Sequence, residues 1–384
     1  MKILFIKEKR SESGLEGIAS YLLNICIELD KLGIDYLVLY NARDLFYKKM
    51  LESNVKVKLV NLPPSSVYNM FHKYLDVLKI RKMIHSIVIK EKITLINVHF
   101  PHLLQYVAPS WGIPIFAHWH GAFVKNKPLS YFDTENFFSI NALIRNIYQK
   151  YRVYNFSNAT NIICPSIAAK NTAVKCFLVP ENKIQMNTYG IKKIYPSEYS
   201  DIRQKLGFNA TDKVILSAGR ETRSKGVEDF CNVALSLKGR KEYKFVFLGG
   251  YKDKKYHDDI VEKYGDVVSF MGMREDINNF YKSADLFLFL SHRESAGLVL
   301  AEAMFFSLPL IAWDVIGVNE MFDDGKNGYL CDFSDITQVA NKVVAVLDDE
   351  KLHKNFSELS LKESSNHTIE KSVKNLINLF DLKR

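Results

Sequence analysis

The segment Glu294-Ser-Ala-Gly-Leu-Val-Leu-Ala-Glu302 follows the apolar run Leu286–Leu290 and reads as a loop entering a helix. In an open parallel sheet, ligands bind beyond the carboxyl ends of strands, so a carboxylate at Glu294 and another at Glu302 can face one crevice. The turn Ser295–Leu298 adds unpaired helix N-terminal amides, suited to a phosphate. Two acidic residues at this spacing also occur on ordinary exposed helices; the preceding buried strand favours a site. A second segment, Gly219-Arg220-Glu-Thr-Arg223-Ser-Lys225-Gly226, follows the strand signal Val214–Ala218. There Arg220 offers a planar fork and Lys225 a compact charge to a diphosphate, the alternative being a solvated basic turn.

Three further elements carry weaker signals. Gly14-Leu-Glu-Gly17 lies between the first strand and first helix, where glycines let the backbone approach a ligand. His118-Trp-His120-Gly121 ends the strand signal Ile113–Ala117, and a histidine there can donate to a substrate hydroxyl or act as acid or base. His118 and His120 would share a face, but no third ligand is evident nearby, which argues against a metal. His99 and His102 flank Phe100-Pro101 as a possible cleft wall. Neither Gly-x-Gly-x-x-Gly nor a Walker-type phosphate loop is present. Asp-x-Asp is also missing, so cationic side chains and helix dipoles would neutralise a diphosphate without metal.

These segments need a scaffold of alternating strands and helices. Strand signals at Lys2–Ile6, Asp35–Tyr40, 55–60, 94–98, 113–117 and 161–164 alternate with helical stretches, among them 68–90 and 138–154. After a Pro-containing stretch near 191–200 the rhythm restarts at 214–218, 244–248, 267–270, 286–290 and 310–312. The expected class is α/β: two doubly wound, Rossmann-like parallel-sheet domains with a cleft between them. The expected boundaries are 1–192, 193–365 and a last helix at 366–384, whose stripe Ile369, Val373, Leu376, Ile377 and Phe380 needs a groove.

The 384 residues are 47% hydrophobic and 25% charged, sufficient for two cores. No apolar run approaches the length of a membrane span, and a cytoplasmic protein is expected. Five scattered cysteines without Cys-x-x-Cys suggest small core residues rather than disulfides or zinc. Residues 1–190 hold 24 Lys+Arg against 13 Asp+Glu, whereas residues 191–384 hold 28 against 30. The positive excess of the first half would attract an anionic membrane or a phosphorylated acceptor, unless it is simply solvated surface. Nothing points to nucleic acid.

The ordered set resembles the family-four retaining glycosyltransferases of the GT-B fold, whose hallmark is Glu, seven residues, then Glu. The resemblance runs from Gly14–Gly17 through His120-Gly121, Arg220, Lys225-Gly226, Phe270-Met-Gly272, Ser283-Ala-Asp285, Glu294 and Glu302 to Pro309, Glu320 and Asp324-Gly-Lys-Asn-Gly328. It implies an N-terminal acceptor domain and a C-terminal donor domain. Glu302 would hold the ribose hydroxyls, Glu294 the donor sugar, and Arg220 with Lys225 the diphosphate. Amides of Ala296, Gly297 and Leu298 would support phosphate and sugar. His120 and the loop bearing Gly14 and Gly17 would approach from the N-terminal domain, and the last helix would cross back onto it.

The resemblance implies a metal-independent hexosyltransferase that needs no cofactor beyond its substrate, a nucleotide diphosphate sugar, with UDP expected before GDP-mannose. The acceptor would be a glycan or a lipid-linked chain in bacterial surface polysaccharide or lipopolysaccharide synthesis, at the inner face of the plasma membrane. Departures stand at Ser295-Ala296 for Gly-Phe, Ser307 for Gly, and Tyr189-Gly-Ile-Lys192 for Asn-Gly-Ile-Asp. They leave room for a non-catalytic partner subunit, or for an epimerase or inverting transferase on the same architecture. The aromatic and basic stretch Tyr131–Tyr154 could contact acceptor or membrane, or be a packed helix.

Overall fold

The computed structural model describes residues 1–9, 17–62, 70–121, 156–192 and 199–381. Gly14 and the stretch Tyr131–Tyr154 fall outside them. The chain forms two compact units, one of residues 1–190 with 369–384 and one of residues 191–368. The division thus falls at 190/191 and 368/369, where the sequence suggested 192/193 and 365/366.

In the first unit the strands are β1 (Lys2–Ile6), β2 (Asp35–Tyr40), β3 (Val57–Leu59), β4 (Leu95–Val98), β5 (Ile115–His118), β6 (Asn161–Cys164) and β7 (Ile184–Met186). They lie in the order β3-β2-β1-β4-β5-β6-β7, and every pairing is parallel. One face is apolar: Leu4, Ile6, Ile96, Val98, Ile115 and Ala117 join a core with Ile84, Leu103 and Leu104. Because side chains alternate along a strand, the other face carries Lys7, Asn97, His99 and His118, all completely buried. Helix Gly17–Lys31 buries Tyr21, Leu22, Ile25, Cys26 and Leu29. It packs against helix Ile369–Asp381, which buries Ile369, Val373, Leu376 and Phe380. At about 1.5–3 kcal/mol per buried aliphatic or aromatic side chain, this stripe explains why the last helix belongs to unit 1.

The second unit has β8 (Lys213–Ala218), β9 (Tyr243–Leu248), β10 (Val268–Phe270), β11 (Leu286–Phe289), β12 (Leu310–Trp313) and β13 (Gly328–Cys331) in the order β10-β9-β8-β11-β12-β13, again parallel. Both faces are buried. Ile215, Leu288 and Ile311 face one core, and Leu216, Phe287 and Leu310 the other. That two-sided burial is the reason these strands read as continuous apolar runs.

Two strands carried no clear sequence signal, β7 and β13, and both are sheet edges. The first is Ile-Gln-Met; the second begins at Gly328, where a Cβ would lie 2.0 Å from the Leu310 carbonyl oxygen. Cys26, Cys164, Cys231 and Cys331 are buried and free. No described helix is long and apolar enough to cross a membrane.

Candidate functional site

β8 and β11 are neighbours at the centre of the second sheet, so the loops leaving their carboxyl ends run side by side. After Ala218 the chain passes Gly219 and Arg220, makes a short turn at Arg223–Lys225, and starts helix Val227–Ser236 from Gly226. Gly226 has φ +66°, and a Cβ there would lie 1.8 Å from the Leu290 carbonyl oxygen. Only glycine lets the two loops touch. They are joined by His292 N–H donating to the Ser224 carbonyl at 3.1 Å. Ser291 Oγ ties its own loop by donating to the Arg293 carbonyl at 2.9 Å. Asp229 anchors the arrangement from the helix, pairing with His292 Nε2 at 2.7 Å and accepting from Trp313 Nε1 at 3.2 Å.

The product of this stitching is an ion pair. Lys225 Nζ lies 2.6 Å from Glu294 Oε2, with the two side chains only 20% and 15% exposed. The other oxygen, Glu294 Oε1, accepts from Ser295 N–H at 3.0 Å. The Lys225 stem runs over Gly219, which leaves it room: a Cβ on Gly219 would sit 3.9 Å from Lys225 Cγ. Arg220, the next residue, is exposed and makes no ion pair among the described residues. Lys225 is therefore already neutralised, while the Arg220 guanidinium is available to an anion.

Glu302 is held differently from Glu294. It lies on helix Leu298–Phe305, and Oε2 accepts from the Tyr281 hydroxyl at 2.8 Å. Tyr281 is completely buried and stacks on Phe306 with centroids 5.5 Å apart. Desolvation pushes the Glu302 carboxyl up to about 7, with the tyrosine hydrogen bond opposing it. Gly297 begins that helix in the left-handed region at φ +53°, and no side chain caps it. The first-turn amides beside Ala296, Gly297 and Leu298 thus lack a side-chain acceptor, as an anion site requires.

In unit 1, His120 lies at the end of β5 with its Nδ1 in a hydrogen bond with the Tyr189 hydroxyl. The sequence showed no third histidine near His118 and His120; the fold brings one, His99, because β4 and β5 are adjacent. The three imidazoles are stacked instead of converging, and no described group of histidine, cysteine and acidic side chains could hold a metal ion. His99 is also no cleft wall, being completely buried, and His102 pairs with the buried Glu8 at 2.7 Å. Gly17 is exposed and opens its helix.

Some motif positions prove structural. Asp285 Oδ2 accepts from Val214 N–H and Arg203 Nη2, both at 2.7 Å, and Ser283 Oγ accepts from Ile202 N–H at 3.2 Å. These bonds fix a neighbouring helix to the sheet. Ser307, where glycine is usual, has φ +61°. Sequence reasoning missed Tyr281, which no spacing marks. It also missed the buried Glu221, whose carboxylate pairs with His257 Nδ1 at 2.8 Å while His257 stacks on Tyr251 at 4.0 Å. A cue existed in Gly249-Gly250 after β9: a Cβ on Gly249 would lie 1.6 Å from the Gly219 carbonyl oxygen, so that strand tip must approach the basic turn.

Two Rossmann-like parallel-sheet units of this connectivity are the GT-B architecture. HepE of Anabaena, solved with UDP and glucose, matches 99% of both chains with a TM-score of 0.77 at 19% identity. The chain belongs to the family-four glycosyltransferases: residues 15–191 match the model described as Glycosyltransferase Family 4, and residues 198–362 the one described as Glycosyl transferases group 1. Among characterised relatives, the N-acetyl-alpha-D-glucosaminyl L-malate synthase of Bacillus anthracis is 28% identical over 186 residues, covering 47% of this chain and 49% of that one. The UDP-Gal:alpha-D-GlcNAc-diphosphoundecaprenol alpha-1,3-galactosyltransferase of Escherichia coli is 25% identical over 285 residues, 70% of each chain. The chain spans about half the length of the first curated relatives it matches.

Proposed function

We propose that this chain is a retaining glycosyltransferase that takes a hexose-type sugar from a uridine diphosphate sugar and transfers it to a glycan or lipid-linked acceptor of a bacterial surface polysaccharide. The observation that carries the reading is the Lys225–Glu294 pair, set between two helix starts that no side chain caps, with Arg220 beside it making no ion pair among the described residues. Such a site offers a diphosphate the Arg220 cation and amide dipoles, and Lys225 as well once it exchanges Glu294 for a phosphate oxygen. Family membership and the UDP-bound HepE neighbour support the donor class; the galactosyltransferase relative supports a diphosphate-lipid acceptor.

In this reading Arg220 and Lys225 bind the diphosphate and stabilise charge as the bond from the anomeric carbon to the leaving phosphate oxygen lengthens. Glu294 orients the sugar hydroxyls and Glu302 the ribose. His120 donates to the sugar, and the acceptor oxygen enters on the face the diphosphate leaves, which preserves the anomeric configuration. No protein nucleophile or metal is needed. The basic first half would hold the enzyme at an anionic membrane face.

Release of UDP from a panel of UDP-hexoses, with GDP-mannose as the contrast, tests the donor. Turnover should disappear in Glu294→Ala and Arg220→Ala with the fold intact; survival in both would refute the site. Anomeric NMR of the product decides retention, and flotation with anionic against neutral liposomes decides the membrane contact.

A further inference from the structure

Around His120 the side chains form a structure that donor binding does not explain. The ring centroids are 4.7 Å apart for His99–His118, 5.5 Å for His118–His120 and 5.4 Å for His99–His120, with interplanar angles of 18°, 9° and 26°. His99 and His118 are completely buried, and burial keeps both uncharged, holding His118 down to about 3 and His99 well below the ordinary imidazole range. Their ring nitrogens have no hydrogen-bond partner among the described residues. They present flat, uncharged faces to His120, and Phe100 meets it edge-on at 5.2 Å.

The polar contact comes from Tyr189, 2% exposed, whose hydroxyl meets His120 Nδ1. Tyr189 lies on Tyr21, centroids 4.2 Å apart. The Tyr21 hydroxyl is in turn bonded to Ser372 Oγ at 2.9 Å and to Asn187 Nδ2 at 3.2 Å. Ser372 Oγ also reaches the Thr188 carbonyl at 2.8 Å. Residues 187–189 are thus fastened to the last helix, and the tyrosine ring has little freedom to leave His120.

We propose that Tyr189 is a positioning residue that holds His120 neutral with its proton on Nε2, so that the imidazole serves as a hydrogen-bond donor from that nitrogen. The direction follows from what each arrangement leaves buried. If Nδ1–H donated to the phenol, the tyrosine O–H would be an unpaired buried donor, which is costly. If the phenol donates, only spare oxygen lone pairs go unused, which proteins tolerate better. The inference rests on the proposed placement of His120 at the donor sugar only for its catalytic consequence, not for the tautomer.

Protein labelled with 15N-histidine, compared between wild type and Tyr189→Phe with His120→Gln for assignment, tests the tautomer. His120 of the wild type should show an unprotonated, hydrogen-bonded Nδ1 and a protonated Nε2, and Tyr189→Phe should shift it toward a tautomer mixture. A proton on Nδ1 in the wild type, or an unchanged His120 spectrum in Tyr189→Phe, overturns the proposal. With UDP-glucose and UDP-N-acetylglucosamine as probes, Tyr189→Phe should lower kcat for UDP release about tenfold, the loss of one buried hydrogen bond, and leave KM within about twofold. A raised KM at unchanged kcat overturns the positioning role. If the wild type releases UDP from neither probe, the donor reading falls while the spectrum still decides the tautomer.

Discussion

Replacing Glu302 by glutamine should stabilise the protein above neutral pH and weaken its grip on the donor, two effects with one electrostatic origin. Burial lifts the carboxyl from 4.5 to about 7, so the folded state holds a proton that the unfolded chain releases. At 1.36 kcal/mol for each tenfold change in proton affinity this corresponds to about 3.4 kcal/mol, reduced to about 2–3 because the residue keeps some solvent access. The sign is fixed by which state binds the proton. Below pH 4.5 both states are protonated and the wild type bears no penalty; stability falls as the pH rises through about 7 and then levels off. Glutamine keeps the Tyr281 hydrogen bond without a charge to desolvate. The variant should therefore match the wild type near pH 4.5 and exceed it by about 2–3 kcal/mol at pH 8, raising Tm by about 5–10 °C for a unit of this size. Urea titrations at pH 5, 6, 7 and 8 measure the difference directly. Ribose hydroxyls favour the carboxylate, so wild-type affinity for a UDP-sugar should strengthen through pH 7 while that of Glu302→Gln stays low and flat. A stability difference independent of pH between 5 and 8 would refute the burial reasoning, whatever the catalytic outcome.

Removing Lys225 strands the Glu294 carboxylate in a site 15% exposed, and a double-mutant cycle of Lys225→Met with Glu294→Gln in urea unfolding should give a coupling of about 1–3 kcal/mol. Ser307→Gly should stabilise by about 0.5–1 kcal/mol, since a non-glycine residue bears about 1–2 kcal/mol in the left-handed region and glycine returns part of it as chain entropy; an unchanged or lowered urea midpoint contradicts this. Gly226→Ala should cost about 3–5 kcal/mol, because it combines positive φ with a carbonyl 1.8 Å away, and soluble yield with thermal unfolding would show it.

The sheets were legible because strands buried on both faces cannot be anything but apolar runs, as at Leu286–Phe289. β7 and β13 were not, because β7 is three residues long, Ile-Gln-Met, with none of them buried, and β13 is four residues opened by a glycine, too short and mixed to stand out as an apolar run. Within the candidate site, the nearness of Glu294 and Lys225 was legible because each stands with glycine on a loop leaving the carboxyl end of an apolar strand, and the two strands are neighbours. Tyr281 and Tyr189 act on Glu302 and His120 across 21 and 69 positions respectively, and only the fold makes them neighbours. Ser283 and Asp285 show the converse: a motif position can recur in a resemblance yet serve helix anchoring alone.

That residues 369–381 complete the first unit has a consequence for how the chain is made. A ribosome adding about 5–20 residues per second needs roughly ten to thirty-five seconds to deliver residues 191–368 after the first sheet has emerged. Throughout that interval the groove beside Tyr21 and Phe116 stays uncovered, a sticky intermediate that a chaperone can protect and a premature stop would make permanent.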